Sequence, residues 1–240
     1  MFGNRGAAEA RLTVYGAKVP LHSGHYGNYA PNPAQRLASL LASMKNEQGR
    51  VTVAGYYDRV RISAADRQVM AAVPDDETAL RRRLGIARTD KVGANYQEAM
   101  QYPSLNVRGM ASAAVGDKVA NIVPDRAVAE LDLRTTPDSD AAYLGAQIEK
   151  HILKQGYHLV KGAPSDEDRA RYDKLATFSY QSEGADAAGA PIDSAIGRWA
   201  YKSLTDSFGA TPAPVRIRMM GGTVPTAEIV KVLQLSLIHI

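Results

Sequence analysis

The order of periodic segments along this chain constrains its fold more than any other feature of the sequence. Residues 9–16 alternate polar and apolar side chains, which is the pattern of a half-buried strand. Asn32 and Pro33 then supply a helix cap and a first-turn proline, and leucines at helical spacing continue to about residue 45. The first two elements are therefore predicted to be a strand and a helix.

The same two patterns return in the middle of the chain. Residues 104–112 and 120–134 are typical of two strands, and the helix that follows is predicted to be capped by Asp138 and to end at Gly156. Residues 157–160 complete the series as a strand. Strand, helix, strand, strand, helix, strand is the ferredoxin-like order, so the sequence predicts an α+β fold with an antiparallel sheet and two helices.

Two short helices, over residues 64–72 and 75–84, are predicted as an insertion after the first long helix, with Pro74 between them. The sheet, its two helices and this insertion make up a predicted first domain over residues 1–184. Residues 182–190 are rich in small and polar side chains and are predicted to be a linker or crossover.

The rest of the chain, residues 185–240, is predicted to be the start of an α/β domain that is cut short. It contains an amphipathic helix (192–208), a strand (214–219), a glycine turn and a last helix (225–233). Because the helix and the strand would lack the sheet against which they normally pack, we expect exposed apolar surface there, with disorder or aggregation.

Composition excludes several classes of function. The chain of 240 residues has no cysteine, which rules out disulfides, thiolate nucleophiles and Cys-ligated metal. The net charge is +4, and the densest basic run, at residues 81–83, has no interleaved aromatic residues, so a solvated helix face is favoured over a nucleic-acid surface. No apolar run approaches the roughly 18 residues of a membrane span. We predict no nucleic-acid or membrane partner, and in the absence of a targeting segment we expect a cytoplasmic location.

His22 and His25 lie three residues apart in a glycine-rich loop. A metal site needs imidazoles on a rigid element together with carboxylates or thiolates, and no acidic residue lies within several positions of this loop. The pattern therefore favours His22 as a lone imidazole that is offered to a substrate carbonyl or oxyanion. A histidine that only bonds its own loop is the alternative.

Two further segments offer polar groups to a ligand. Arg134 ends a predicted strand, where it could bind a carboxylate with two parallel hydrogen bonds or be an ordinary surface arginine. Asn121 begins the same segment, and the two share a face only if the strand is irregular, as Pro124 suggests. Gly222 and Thr223 precede a predicted helix, where backbone N–H groups and a hydroxyl can hold an anion.

Three segments taken together resemble one known family: residues 20–27 (PLHSGHYG), residues 121–134 (beginning NIVP and ending LDLR) and residues 219–225 (MMGGTVP). They are similar in order and spacing to segments of the co-catalytic zinc peptidases and amidohydrolases, such as carnosinase, aminoacylase, acetylornithine deacetylase and glutamate carboxypeptidase. The Leu-His-Ser-Gly loop most resembles the carnosinase-like dipeptidase branch. The resemblance implies hydrolysis of a dipeptide or N-acyl amino acid, and a ferredoxin-like dimerisation lid inserted into an α/β catalytic domain.

The resemblance also implies a role for each candidate residue, in a homodimer. His22 is similar to the lid histidine that reaches the partner subunit's active site and stabilises the oxyanion. Asn121 falls at a substrate-contacting position, and Arg134 is similar to the arginine that grips the substrate's terminal carboxylate. Gly222 and Thr223 match contacts to the same carboxylate.

The family's two zinc ions are implied for the full-length parent protein. Their ligands are histidines, a bridging aspartate and further carboxylates, beside a glutamate general base, and none of these matches a position in this chain. We therefore expect no metal site here and no activity from the chain alone. A stand-alone ferredoxin-like module for dimerisation or protein interaction is the alternative function.

The last six residues, 235–240, match the in-frame translation of a sequencing-transposon adaptor end. We expect that His239 is not a natural residue and do not assign it as a missing zinc ligand. A natural apolar closing strand is the alternative.

Overall fold

The computed structural model of the protein describes residues 1–181, 185–209 and 211–233. The adaptor-like residues 235–240 lie outside the described residues, and so does the beginning of the predicted linker at 182–184. In the described part of the chain, no helix has both the length and the apolar character needed to cross a membrane.

The strands and helices are numbered here along the chain. The strands are β1 (Gly3–Asn4), β2 (Gly6–Tyr15), β3 (Leu21–His22), β4 (Ser104–Ala111), β5 (Ile122–Val123), β6 (Arg126–Thr135), β7 (His158–Leu159), β8 (Leu175–Tyr180) and β9 (Ala188–Gly189). The helices are α1 (Ser23–Tyr26), α2 (Pro33–Met44), α3 (Ala64–Ala71), α4 (Glu77–Leu84), α5 (Tyr96–Ala99), α6 (Ala141–Lys154), α7 (Asp166–Arg171), α8 (Ala195–Phe208) and α9 (Thr226–Leu233), with one short 3-10 turn at Gly116–Lys118.

A five-stranded sheet in the order β4-β6-β2-β8-β7 forms the centre of the molecule. The strand β2 is antiparallel to both β6 and β8, whereas β7 runs parallel to β8. Alternation along β2 and β6 turns one set of side chains towards α2 and α6 and leaves the other set on an open face. The fully buried side chains of this core include Leu12 and Leu131 of the sheet, Leu37 of α2, and Leu144, Ile148 and Ile152 of α6.

The predictions for the sheet are confirmed in part. The strand at 9–16 and the strand at 104–112 correspond to β2 and β4, while the predicted strand at 120–134 is divided at Pro124 into β5 and β6. The prediction that 157–160 forms the last strand of the series was wrong in position. In the structure this segment is the two-residue strand β7 at the edge of the sheet. The strand that pairs with β2 is β8, and the periodicity of the sequence did not predict β8.

The two long helices are confirmed, and one of their caps is corrected. Asn32 caps α2 by accepting a hydrogen bond from the backbone N–H of Ala34 at 2.9 Å, as predicted. The cap of α6 is Asp140 rather than Asp138, and it accepts from the N–H of Tyr143 at 2.7 Å. A tight turn in which Ser139 N–H donates to the Thr136 carbonyl precedes it, which delays the helix by two residues.

The region after residue 185 packs against the first residues of the chain. The strand β1 pairs with β9, and the backbone N–H of Phe2 donates to the carbonyl of Ile217 at 2.9 Å. The predicted strand at 214–219 was wrong, because this segment forms no strand, and the isolated bridge that follows it, between Asn4 and Met220, is a single pair. The predicted helices correspond to α8 and α9, and α8 begins at Ala195 because Ser194 caps it.

Candidate functional site

His22 and Asn121 meet at one end of the molecule. In the two-stranded ladder of β3 and β5, His22 lies opposite Ile122, and the backbone N–H of Ser23 donates to the Asn121 carbonyl at 2.9 Å. This pairing brings together two segments that are about a hundred residues apart in sequence. The structure therefore joins two of the five predicted site residues.

The His22 ring is oriented by its own loop. Its Nδ1 accepts a hydrogen bond from the N–H of Gly24 at 3.1 Å, so the neutral ring carries its proton on Nε2. His22 is exposed, which leaves Nε2–H available as a donor. A side chain at position 24 would place its Cβ 2.9 Å from the ring, so this close contact requires glycine.

Arg134 and Thr223 meet at the other end of the sheet. Arg134 Nη1 donates to Thr223 Oγ1 at 3.3 Å, and Arg134 Nε donates to a carboxylate oxygen of Asp132, also at 3.3 Å. Asp132 precedes Arg134 by two residues in β6 and so lies on the same face of the sheet. The carboxylate thus holds one side of the guanidinium, and the charged group is well suited to bind an anion.

Gly222 lies next to this pair in sequence and is exposed. The helix α9 begins at Thr226, three residues after Thr223, so Gly222 and Thr223 precede the helix rather than open it. The hydroxyl of Thr226 donates to the buried side chain of Asn4 at 2.6 Å, which ties the start of α9 to β1.

The two pairs of residues are far apart within one chain. Tyr15 pairs with Arg126 at the end of the sheet near His22, whereas Gly6 pairs with Thr135 at the end near Arg134. The eight residue steps from Arg126 to Arg134 alone span about 27 Å. One dipeptide cannot contact both ends of the sheet in the same molecule.

Arg5 is a further charged residue near Arg134 that the sequence analysis missed. Its Nη2 donates to the carbonyl of Tyr102 at 2.8 Å, and its Nε is buried without a partner among the described residues. Burial lowers the pKa of Arg5 to about 10, and the positive charge of Arg134 acts in the same direction. A single arginine before a strand gives no periodic signal, so only its place in the fold reveals it.

The residues present do not fit a dinuclear zinc site. Across residues 1–181, 185–209 and 211–233, no group of three or more His, Asp or Glu side chains could hold a metal ion. The rings of His22 and His25 lie 5.2 Å apart, but the structure gives them no carboxylate partner in this part of the chain. No step of a reaction is therefore assigned to a metal on these residues.

Comparisons with known proteins identify the family of this chain. Residues 2–159 match the peptidase dimerisation domain of the M20 peptidases. The Cys-Gly metallodipeptidase dug1 of Schizosaccharomyces pombe is 20% identical over 231 residues, which cover 93% of this chain and 44% of the relative. The cysteinylglycine-S-conjugate dipeptidase of Corynebacterium striatum is 31% identical over 163 residues, covering 62% of this chain and 32% of the relative. The chain thus spans less than half the length of these relatives.

Solved structures share the fold. The dipeptidase Dug1p of Saccharomyces cerevisiae superimposes with a TM-score of 0.72 at 18% identity, over 98% of this chain and 47% of that one. Human carnosine dipeptidase 1 gives a TM-score of 0.70 at 21% identity, over 97% of this chain and 47% of that one. The match to the dimerisation domain covers well over half of the sequence, and we conclude that the chain belongs to the M20 family of metallopeptidases.

Proposed function

We propose that this chain is the dimerisation lid and an adjoining part of the catalytic domain of a metal-dependent dipeptidase. The parent protein would hydrolyse the amide bond of a dipeptide or an N-acyl amino acid. The observation that carries this proposal is the pairing of Arg134 with Thr223 at one end of the sheet and of His22 with Asn121 at the other. The relatives whose names describe dipeptidases support it.

In this proposal the Arg134 end holds the substrate's terminal carboxylate. Arg134 is oriented by Asp132 and lies against the Thr223 hydroxyl, so a carboxylate can accept charge-assisted hydrogen bonds from the guanidinium. The Thr223 hydroxyl and the backbone N–H of Gly222 would add two neutral donors. This arrangement selects a ligand with a free carboxyl group over its amide.

In this proposal the His22 end of the sheet contacts the substrate that the partner subunit binds. His22 presents Nε2–H as a donor, which suits the oxygen that becomes negative when an amide carbonyl is attacked. Because about 27 Å of strand separates this end from Arg134, His22 would act on the substrate held by its partner in a homodimer. Asn121, beside His22, would contact the same substrate.

The domain division belongs to the same proposal. Residues 1–184 would form the ferredoxin-like lid with its helical insertion, and residues 185–240 a partial segment of the catalytic domain. Two zinc ions would be bound by the parent protein and not by the residues of this chain. We therefore expect the chain alone to be inactive, and its cytoplasmic location stays a prediction.

A binding titration tests the carboxylate site. N-acetylalanine added to the isotopically labelled chain should shift the backbone amide signals of Gly222, Thr223 and Arg134, whereas N-acetylalaninamide should not. Arg134→Met should remove these shifts, and His25→Gln should leave them unchanged. Shifts confined to other parts of the chain would overturn the assignment.

An activity assay tests the claim of inactivity. The chain is incubated with Cys-Gly and added zinc, and free glycine is measured. We expect no turnover above the zinc-only control. Turnover that disappears in the His22→Ala variant would show that the chain carries a complete active site.

A further inference from the structure

Arg134 belongs to β6, which lies between β4 and β2 in the sheet. The side chain of Arg5 crosses the end of these three strands. In the sheet, Arg134 pairs with Ala7 on one side and with Ser104 on the other. Arg5 precedes Ala7 by two residues, and Tyr102 precedes Ser104 by two. Arg5 Nη2 donates to the Tyr102 carbonyl at 2.8 Å, and this bond links the two flanking chains beyond the end of β6.

The backbone of Arg5 is also tied to the segment that carries Thr223. The N–H of Arg5 donates to the Met220 carbonyl at 3.0 Å, and the N–H of Met220 donates to the Gly3 carbonyl at 2.8 Å. Arg5 therefore lies between the strand that carries Arg134 and the segment that carries Thr223.

The charge of Arg5 is only partly compensated. Its Nε is buried and has no hydrogen-bond partner among the described residues, and the positive charge of Arg134 acts on it. Asp132, whose carboxylate also acts on Arg5, is bonded to Arg134. Two guanidinium groups thus share one carboxylate, and a bound anion would relieve their repulsion. Burial lowers the pKa of Arg5 to about 10, so the group is still charged at neutral pH.

We propose that Arg5 is a positioning residue of the carboxylate site, which supplies a second positive charge behind the Arg134–Thr223 pair and so tightens binding of a ligand's carboxyl group. This inference rests on the proposed function, in which Arg134 and Thr223 bind the substrate's terminal carboxylate. It adds to that site the residue that directly precedes β2 and gives the buried guanidinium a function.

The test uses variants at position 5 that separate the effect of the positive charge from the effect of side-chain length. Arg5→Lys keeps the positive charge, and Arg5→Met removes it while keeping much of the side-chain length. Arg5→Gln keeps a donor for the Tyr102 carbonyl without the charge, and it serves the same purpose if the methionine variant does not fold. Arg36→Met is the matched control, since Arg36 is also partly buried and donates to a backbone carbonyl, that of Asp173, at 2.6 Å.

Dissociation constants for N-acetylalanine and N-acetylalaninamide are measured by NMR titration at neutral pH. We expect Arg5→Met and Arg5→Gln to weaken binding of the acid about fivefold, the effect of one partly screened charge several ångströms away. Arg5→Lys should restore most of the affinity. Arg36→Met should have no effect on the acid, and no variant should change the response to the amide.

Three results would overturn the inference. The first is unchanged binding of the acid by both neutral variants, and the second is an Arg5→Lys variant as weak as Arg5→Met, which would indicate a purely structural role. The third is unchanged binding of the acid by Arg134→Met, because the carboxylate site of the proposed function would then be wrong as well. Loss of binding in Arg134→Met with wild-type binding in Arg5→Met would overturn only the role of Arg5.

Discussion

The helices α6 and α8 have the same length, 14 residues, and both are amphipathic, but their surroundings differ. The helix α6 lies on the central sheet and buries five of its residues, among them Leu144, Ile148 and Ile152. The helix α8 buries only Gly197, while Trp199 is 65% exposed and Phe208 is 78% exposed. An amphipathic pattern therefore predicts a helix but does not supply the surface that stabilises it.

The sheet with α2 and α6 has a hydrophobic core of its own, whereas the region after residue 185 packs against another part of the chain. The core lies between one face of the sheet and the helices α2 and α6. After residue 185 the described chain gains support mainly from the first residues, since β1 pairs with β9 and Phe2 lies against Gly197. The expected exposure of apolar side chains is confirmed for α8, and disorder or aggregation stays a prediction.

The same leucine substitution in the two helices should give very different losses of stability. Leu144→Ala empties a fully buried position and should lower the free energy of unfolding by about 3 kcal/mol. Leu204→Ala, at a position that is 48% exposed, should cost less than about 1 kcal/mol. Urea unfolding followed by circular dichroism measures both. Equal losses would mean that α8 has a packing partner comparable to the sheet.

Removal of the two helix caps tests separately how much α6 and α8 contribute to global stability. Asp140 caps α6 and Ser194 caps α8, in each case by accepting a backbone hydrogen bond. Asp140→Ala should lower the free energy of global unfolding by about 1 kcal/mol. Ser194→Ala should hardly change global unfolding, because we expect the weakly buried helix α8 to open independently of the sheet, but it should speed amide exchange along α8. Faster exchange in α6 and α8 together in the Ser194 variant would contradict this.

The exposed aromatic residues of α8 should affect association more than stability. Replacement of Trp199 and Phe208 by glutamine removes large apolar surfaces that contact water. We expect less light scattering at high protein concentration and an unchanged urea midpoint. The control is Tyr29→Gln, which removes an aromatic residue that is 86% exposed in the loop between α1 and α2. A lower midpoint in the α8 variant would show that these side chains are packed.

A small effect of pH on stability should come from His151 in the helix α6. Burial, and to a lesser extent the charge of Lys154, lowers the pKa of His151 below 6.5. The unfolded chain then binds a proton at a higher pH than the folded chain, so stability is fully present above pH 6.5 and falls as the pH drops towards the folded pKa. His151→Gln should flatten this fall, whereas His25→Gln, in an exposed loop, should not. An unchanged slope in the His151 variant would contradict the shift.

The elements that the sequence predicted well are those whose burial is one-sided. Regular alternation in β2 and helical spacing in α2 and α6 follow directly from packing on one face. The strand β8 has two buried residues in succession and no regular alternation, so its sequence gives no periodic signal. The segment at 214–219 alternates suitably, but its contacts are single backbone bonds such as Phe2 to Ile217 and side-chain bonds such as Arg218 to Asp66, and it forms no ladder.

The residues of the candidate site could be predicted from the sequence where each has a recognisable local context, such as a strand end or a glycine turn. Arg134 lies near the end of a strand and Thr223 follows two glycines, and the structure brings these two residues together. Arg5 could not be found in this way, because its proximity to Arg134 depends on the register of β2 against β6. The separation of His22 from Arg134 also depends on that register rather than on any motif.

In the proposed function, the Arg134–Thr223 pair of one chain and the His22–Asn121 pair of another chain form one active site. Because the sequence has no cysteine, His25→Cys, beside His22, and Pro225→Cys, near Thr223, can be spin-labelled selectively. Double electron–electron resonance then gives the distance within a doubly labelled chain that is diluted with unlabelled protein, and the distance between two chains that each carry one label. We predict an intra-chain distance above about 25 Å and a clearly shorter distance between chains. A long distance between chains, or no dipolar signal between them, would contradict the claim.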